Sequence, residues 1–120
     1  TMLWRERPAS LIEIGSKHGG SALFFADMVQ VFGLSTTIVS IDLAPPADPT
    51  GGRVRFVKGD VLNLDAAFKA HALHDLPRPW MVVEDSAHTF EGCMAALGFF
   101  ADNLREGEML IMEDGVLAEL

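Results

Sequence analysis

Residues 11–32 read LIEIGSKHGGSALFFADMVQVF, and this stretch decides the fold. Leu11-Ile12-Glu13-Ile14 is a short apolar run, broken by one acid, that stops at Gly15. Glycine recurs at Gly19 and Gly20. Phe25, Met28, Val29 and Phe32 then fall at i, i+3, i+4 and i+7, the spacing of one helical face. Gly33 follows as a helix stop. A buried strand, a glycine-rich turn and an amphipathic helix make the first half of a βαβ unit. At such a turn the backbone can approach a ligand closely, with the first N–H groups of the helix pointing at it.

The same alternation continues outward. Thr37-Ile38-Val39-Ser40-Ile41 is rich in β-branched residues and ends at Asp42. Residues 44–52, APPADPTGG, are a loop. Val54-Arg55-Phe56-Val57 alternates up to Gly59-Asp60, and residues 64–73 carry a weaker helical period. Pro77 and Pro79 bracket a turn before the strand Trp80-Met81-Val82-Val83. Residues 89–105 predict the clearest helix, with Phe90, Cys93, Met94, Leu97, Phe100, Ala101 and Leu104 as its apolar stripe and Gly107 as its stop. Met109-Leu110-Ile111-Met112 is a fifth strand, ending at Glu113-Asp114-Gly115. No internal repeat is visible. Strands alternating with helices predict one α/β domain over residues 1–120, a doubly wound, mostly parallel sheet. The near-continuous apolar strands fit burial on both faces.

Composition excludes several classes. The 120 residues carry 9 Lys+Arg against 17 Asp+Glu, a net charge of −8, which argues against a nucleic-acid partner or an anionic membrane surface. No run reaches the roughly 18 apolar residues of a membrane span. Thr1–Pro8 has no charged-then-apolar signal pattern, so a cytoplasmic location is expected. The single Cys93 excludes an internal disulfide and lies on an apolar stripe, where a core role is expected.

The strand ends share one property. Each is followed by Gly or a carboxylate: Glu13-Ile14-Gly15, Asp42, Gly59-Asp60, Glu84-Asp85 and Glu113-Asp114. In a parallel sheet these ends lie on one edge, outside which ligands bind. Polar loops and helix starts account for single acids, but core packing gives no reason for the whole set. A dinucleotide site wants G-x-G-x-x-G, and Lys17 stands where its second glycine is needed. An acid at Asp42 can accept both hydroxyls of a ribose, which any adenosine cofactor supplies.

Together, IEIGSKHGGSALFFADM, IVSIDL, VKGD, VVEDSAHTFEGC and LIMEDG resemble the class I S-adenosylmethionine-dependent methyltransferases, and more narrowly the cephalosporin hydroxylase and rhamnosyl O-methyltransferase family. The resemblance covers about residues 8–116. It implies strand order 3-2-1-4-5 and an O-methyltransferase acting on a hydroxyl of a small molecule, a sugar or secondary metabolite. It also implies that Gly15, Gly19 and Gly20 line the methionine part of S-adenosylmethionine, with Glu13 and Ser21 supporting that loop. Asp42 would bind the ribose, and Asp60, after Gly59, would sit near the adenine amino group. Asp85, Glu113 and Asp114 would hold Mg²⁺.

The chemistry of these residues agrees. Hard carboxylate oxygens suit Mg²⁺, and without a cation three clustered carboxylates repel one another. A metal lowers the pKa of a substrate hydroxyl and orients it. His88, three residues beyond Asp85, is placed to act as the general base or to cap the following helix. His18 touches cofactor or solvent, and His71 and His74 are expected at the surface. Glu84 alternates with Asp85, so one of the two at most faces the metal, and the motif favours Asp85.

Two alternatives belong to other classes. An iron(II) oxygenase needs two His and a carboxylate, and no His-x-Asp or His-x-Glu pair is present. A non-catalytic cofactor-binding module would not require the intact acidic set. Methyltransferases of this class add two more strands and a substrate-binding extension, so the resemblance implies a core truncated at both ends. Met109–Met112 would then be an exposed apolar edge that more chain or a second subunit covers.

Overall fold

The computed structural model describes residues 2–15, 19–85, 89–112 and 117–119. In chain order it contains α1 (Met2–Glu6), β1 (Ser10–Ile14), α2 (Gly20–Val31), β2 (Thr37–Asp42), β3 (Val54–Lys58), α3 (Leu64–Ala70), β4 (Trp80–Glu84), α4 (Phe90–Asn103), β5 (Met109–Met112) and β6 (Leu117–Glu119). Short 3-10 turns at Val61–Asn63 and Leu73–Asp75 flank α3. The strands form one sheet in the order β3-β2-β1-β4-β5-β6. The first five are parallel, as predicted, and β6 runs antiparallel to β5.

β6 corrects the expectation of an exposed edge at Met109–Met112: Leu110 pairs with Ala118, and Ile111 with Leu117. A three-residue strand is too short to declare a period, so the sequence alone does not reveal it. Among the described residues the outermost strands of this sheet are β3 and β6. Arg55 and Lys58 stand exposed on β3, where charge discourages pairing with another chain.

Successive residues of a strand face opposite sides of the sheet, and both sides are buried. Ile12, Ile14, Val39, Ile41, Val82 and Leu110 pack with Phe68 of α3 and with Ala96 and Phe100 of α4. Leu11, Ile38, Met81 and Met109 pack on the other face with Ala22 and Ala26 of α2 and Leu3 of α1. Both long helices therefore set small residues against the sheet. On α2, Phe25, Met28, Val29 and Phe32 flank that contact, partly buried as their spacing predicted. On α4 the predicted stripe is corrected. Gly92, Ala96 and Phe100 are buried, whereas Phe90 is 79% exposed, Met94 is 50% exposed and Ala101 also faces outward. Cys93, Leu97 and Leu104 do pack against the core.

The helix ends follow from local chemistry. Gly33 has φ 65; its N–H donates to Gln30 O and the Leu34 N–H to Val29 O, closing α2 with paired bonds that satisfy its last carbonyls. Thr89 caps α4 by accepting the Gly92 N–H at 3.1 Å. α4 stops at Asn103, not at Gly107, which instead makes the turn into β5 with φ 85. Among the described residues no helix is long and apolar enough to cross a membrane.

Candidate functional site

The parallel ladder runs one residue past the strands. The Gly15 N–H donates to Ile41 O (2.7 Å), Asp85 N–H to Ile14 O (2.9 Å) and Gly59 N–H to Asp42 O (2.9 Å). The carboxyl ends of β1, β2, β3 and β4 are thereby aligned, and the acids there become neighbours.

Glu13 is the centre of the group. It is fully buried, at 0% exposure, and its Oε1 accepts the Ser40 hydroxyl at 2.9 Å across the β1–β2 pair. Its Oε2, also buried, has no hydrogen-bond partner among the described residues. Burial raises the Glu13 pKa above its ordinary value of 4.5, hydrogen bonds from Ser21 and Ser40 oppose the rise, and the charges of Asp85 and Asp42 add to it. The three carboxylates therefore sense one another on the α2 side of the sheet. Ser40 was not among the expected site residues. Its signal was a lone hydroxyl inside an apolar strand, opposite Glu13 in register.

A raised acid pKa has a definite consequence. Protons bind the folded state more tightly, so this group's contribution to stability is full at low pH and is lost as pH rises through the folded pKa. Glu13→Gln is therefore expected to raise the thermal midpoint of the ligand-free protein at neutral pH and to leave it nearly unchanged near pH 4. A melting series from pH 4 to 8 checks this. Equal midpoints for the two proteins at pH 8 would contradict a charged, desolvated Glu13.

The glycine loop is described in part. Gly15 and Gly19 have φ 85 and 86, a region that L side chains rarely adopt. Gly19 is the N-cap of α2, and among the described residues no side chain makes a cap hydrogen bond to that helix start. Gly20 is exposed and Ser21 half-buried. Asp42, half-exposed at the end of β2, accepts the Ala44 N–H at 3.1 Å. Asp60 accepts the Leu62 N–H at 2.9 Å and so caps the 3-10 turn. Gly59 has a packing role: a Cβ there would lie 2.7 Å from both Ala67 Cβ and Ile41 Cγ2.

Asp85 and Glu84 diverge as alternation requires. Glu84 is 2% exposed and follows Trp80 and Val82 toward the α4 face, while Asp85 lies within electrostatic reach of Glu13. His18, His88, Glu113 and Asp114 lie outside the described residues. Among the described residues no cluster of three metal-ligating side chains occurs. Asp85 is the described member of the expected metal set, and a hard carboxylate in an acidic edge fits a divalent cation. His74 is exposed as expected; His71 is half-buried, with Nε2 3.0 Å from Lys58 O.

The family model described as Rhamnosyl O-methyltransferase/CmcI matches residues 1–120. A rhamnosyl O-methyltransferase of Mycobacterium leprae is 28% identical over 119 residues, covering 92% of this chain and 50% of that protein. A CmcI structure with Mg and SAM superposes with a TM-score of 0.76 at 27% identity, covering 94% of this chain and 48% of that one. An apo CmcI structure gives 0.75 at 26% identity, covering 92% and 47%. The chain thus spans about half the length of the relatives it matches.

Proposed function

The chain belongs to the rhamnosyl O-methyltransferase/CmcI family, and from that premise we propose that it is the S-adenosylmethionine-binding core of an O-methyltransferase, assisted by Mg²⁺, whose acceptor is a hydroxyl of a sugar or secondary metabolite. The observation that carries this reading is the buried Glu13 carboxylate, whose Oε2 has no partner among the described residues, two positions before Gly15 and within electrostatic reach of Asp42 and Asp85. A buried carboxylate and further acids beside a helix N-terminus suit a ligand that carries both an ammonium and a carboxylate.

Each residue has a role in this reading. Glu13 takes a hydrogen bond from the cofactor's amine, directly or through water, and the α2 N-terminus receives its carboxylate. Asp42 accepts the ribose hydroxyls, and Asp60 stands at the adenine end. Asp85, Glu113 and Asp114 would hold the divalent ion, and His88 would take the acceptor's hydroxyl proton. When bound, the cofactor supplies an electrophilic sulfonium methyl, and the ion makes the acceptor hydroxyl more acidic. The chain's own contribution is then chiefly positioning, because an anionic nucleophile meeting a sulfonium neutralises charge along the path.

Calorimetric titration of S-adenosylmethionine into the protein, with NAD in parallel and each with and without Mg²⁺, tests the reading. Binding of S-adenosylmethionine alone is expected. Binding of NAD in its place would overturn it.

A further inference from the structure

The loop between β2 and β3 is stitched along its length. Asp42 Oδ1 accepts the Ala44 N–H at its start (3.1 Å). Asp48 Oδ1 accepts the Thr50 N–H (2.7 Å) and the Thr50 hydroxyl, and Asp48 Oδ2 accepts the Gly52 N–H (2.8 Å). Thr50 is 2% exposed, and its Oγ1 accepts the Val54 N–H at 3.1 Å. Arg53 donates Nε–H to Thr50 O (2.8 Å) and Nη1–H to both Asp27 Oδ1 and Gln30 Oε1 of α2, each at 2.9 Å. The loop is therefore tied to itself at its middle and to α2 at its end.

The tip of this loop bears on the glycine turn. A Cβ placed on Gly19 would lie 2.9 Å from Pro49 Cγ, 3.0 Å from Pro49 Cδ and 3.3 Å from Pro46 Cγ. A prolyl ring is stiff and cannot swing aside as a flexible side chain would. Gly19 is held at φ 86 as the N-cap of α2, its carbonyl accepting the Leu23 N–H at 2.9 Å, and among the described residues no side chain makes a cap hydrogen bond to that helix start. Among the described residues outside the helix, the Pro49 and Pro46 rings thus stand nearest to where a Gly19 side chain would begin.

We propose that residues 43–53 brace the cofactor loop, with Asp48 as a positioning residue that fixes Pro49 against Gly19. One loop then sets both Asp42, at its start, and the turn that opens α2, so the ribose and methionine ends of the site share one rigid support. Preset geometry raises affinity because less freedom is lost on binding. The proposal rests on the cofactor reading above and extends it to residues with no expected ligand contact.

The test compares Asp48→Ala, Pro49→Ala and their double variant in the intact protein. Glu108→Gln, at the opposite sheet edge, serves as a control that lowers stability alone. The first readout is amide hydrogen exchange at Leu23 without ligand; the second is S-adenosylmethionine affinity. Both single variants are expected to speed Leu23 exchange and weaken affinity about tenfold, the scale of losing a capping carboxylate. The double variant is expected to be weaker by much less than the product of the two, because both act through one contact. Glu108→Gln should move neither readout. Faster exchange confined to residues 44–53, or unchanged affinity in both single variants, would overturn the brace. If the parent protein bound no S-adenosylmethionine, the cofactor reading would fall, and Leu23 exchange would decide the brace by itself.

Discussion

Asp42→Ala is expected to weaken S-adenosylmethionine binding by at least about 100-fold, since a carboxylate's hydrogen bonds are worth roughly 1.5–3 kcal/mol each and a ribose offers two. The fold should tolerate the change. Asp42 is half-exposed, and the Ala44 N–H that it accepts is open to water. Asp85→Ala is the complementary variant. It should leave cofactor affinity within a few-fold while removing the dependence of methyl transfer on Mg²⁺. Calorimetry for the cofactor and a Mg²⁺ titration of turnover separate the two variants. Swapped outcomes, with Asp85→Ala losing the cofactor and Asp42→Ala losing the metal, would invalidate the assignment of both residues.

The parallel strands were legible because burial on both faces leaves apolar runs with sharp ends. Met109–Met112 agrees with its predicted bounds at both ends, and the Gly33 stop agrees with the bonds that close α2. The face of α4 was not legible. When most of a helix is apolar, a 3.6-residue period admits two overlapping stripes. Close packing on a sheet chose the one carrying Gly92 and Ala96, and left Phe90 and Met94 in solvent. α1 and β6 escaped because five and three residues cannot declare a period.

The site followed a similar division. Acids at the strand ends were readable as one edge, since parallel topology alone gathers them. Partnership was not. The Ser40–Glu13 bond depends on which residues of β1 and β2 lie opposite, and the seat of Pro49 on Gly19 depends on how a proline-rich loop folds back across 30 positions of chain. Gly59 stood in a cofactor motif, yet its missing side chain is explained by Ala67 and Ile41. A motif glycine can therefore be demanded by the packing beneath a strand end.

At the opposite edge, Glu108→Ala is expected to cost about 3–5 kcal/mol of stability, the scale for breaking one half of a buried ion pair. Glu108 is 3% exposed and accepts three hydrogen bonds. Its Oε1 accepts Arg78 Nη1–H and the Arg105 N–H, and its Oε2 accepts the Trp80 N–H at 2.7 Å. It also holds the guanidinium that stacks 3.6 Å over the Trp80 ring and donates to Asn103 O. One carboxylate thereby joins the start of β4, the end of α4 and the approach to β5. Its removal strands a largely buried cation, whose side chain is 18% exposed, together with two backbone N–H groups. Domains hold only about 5–15 kcal/mol in all, so a loss of this size should lower the urea midpoint steeply without changing the slope of the transition. Glu108→Gln keeps a carbonyl acceptor and should cost less. A loss below about 1 kcal/mol for Glu108→Ala would put this cluster in the class of exposed ion pairs, which contribute little. The clamp would then have no part in holding α4 and β5 in register behind the site.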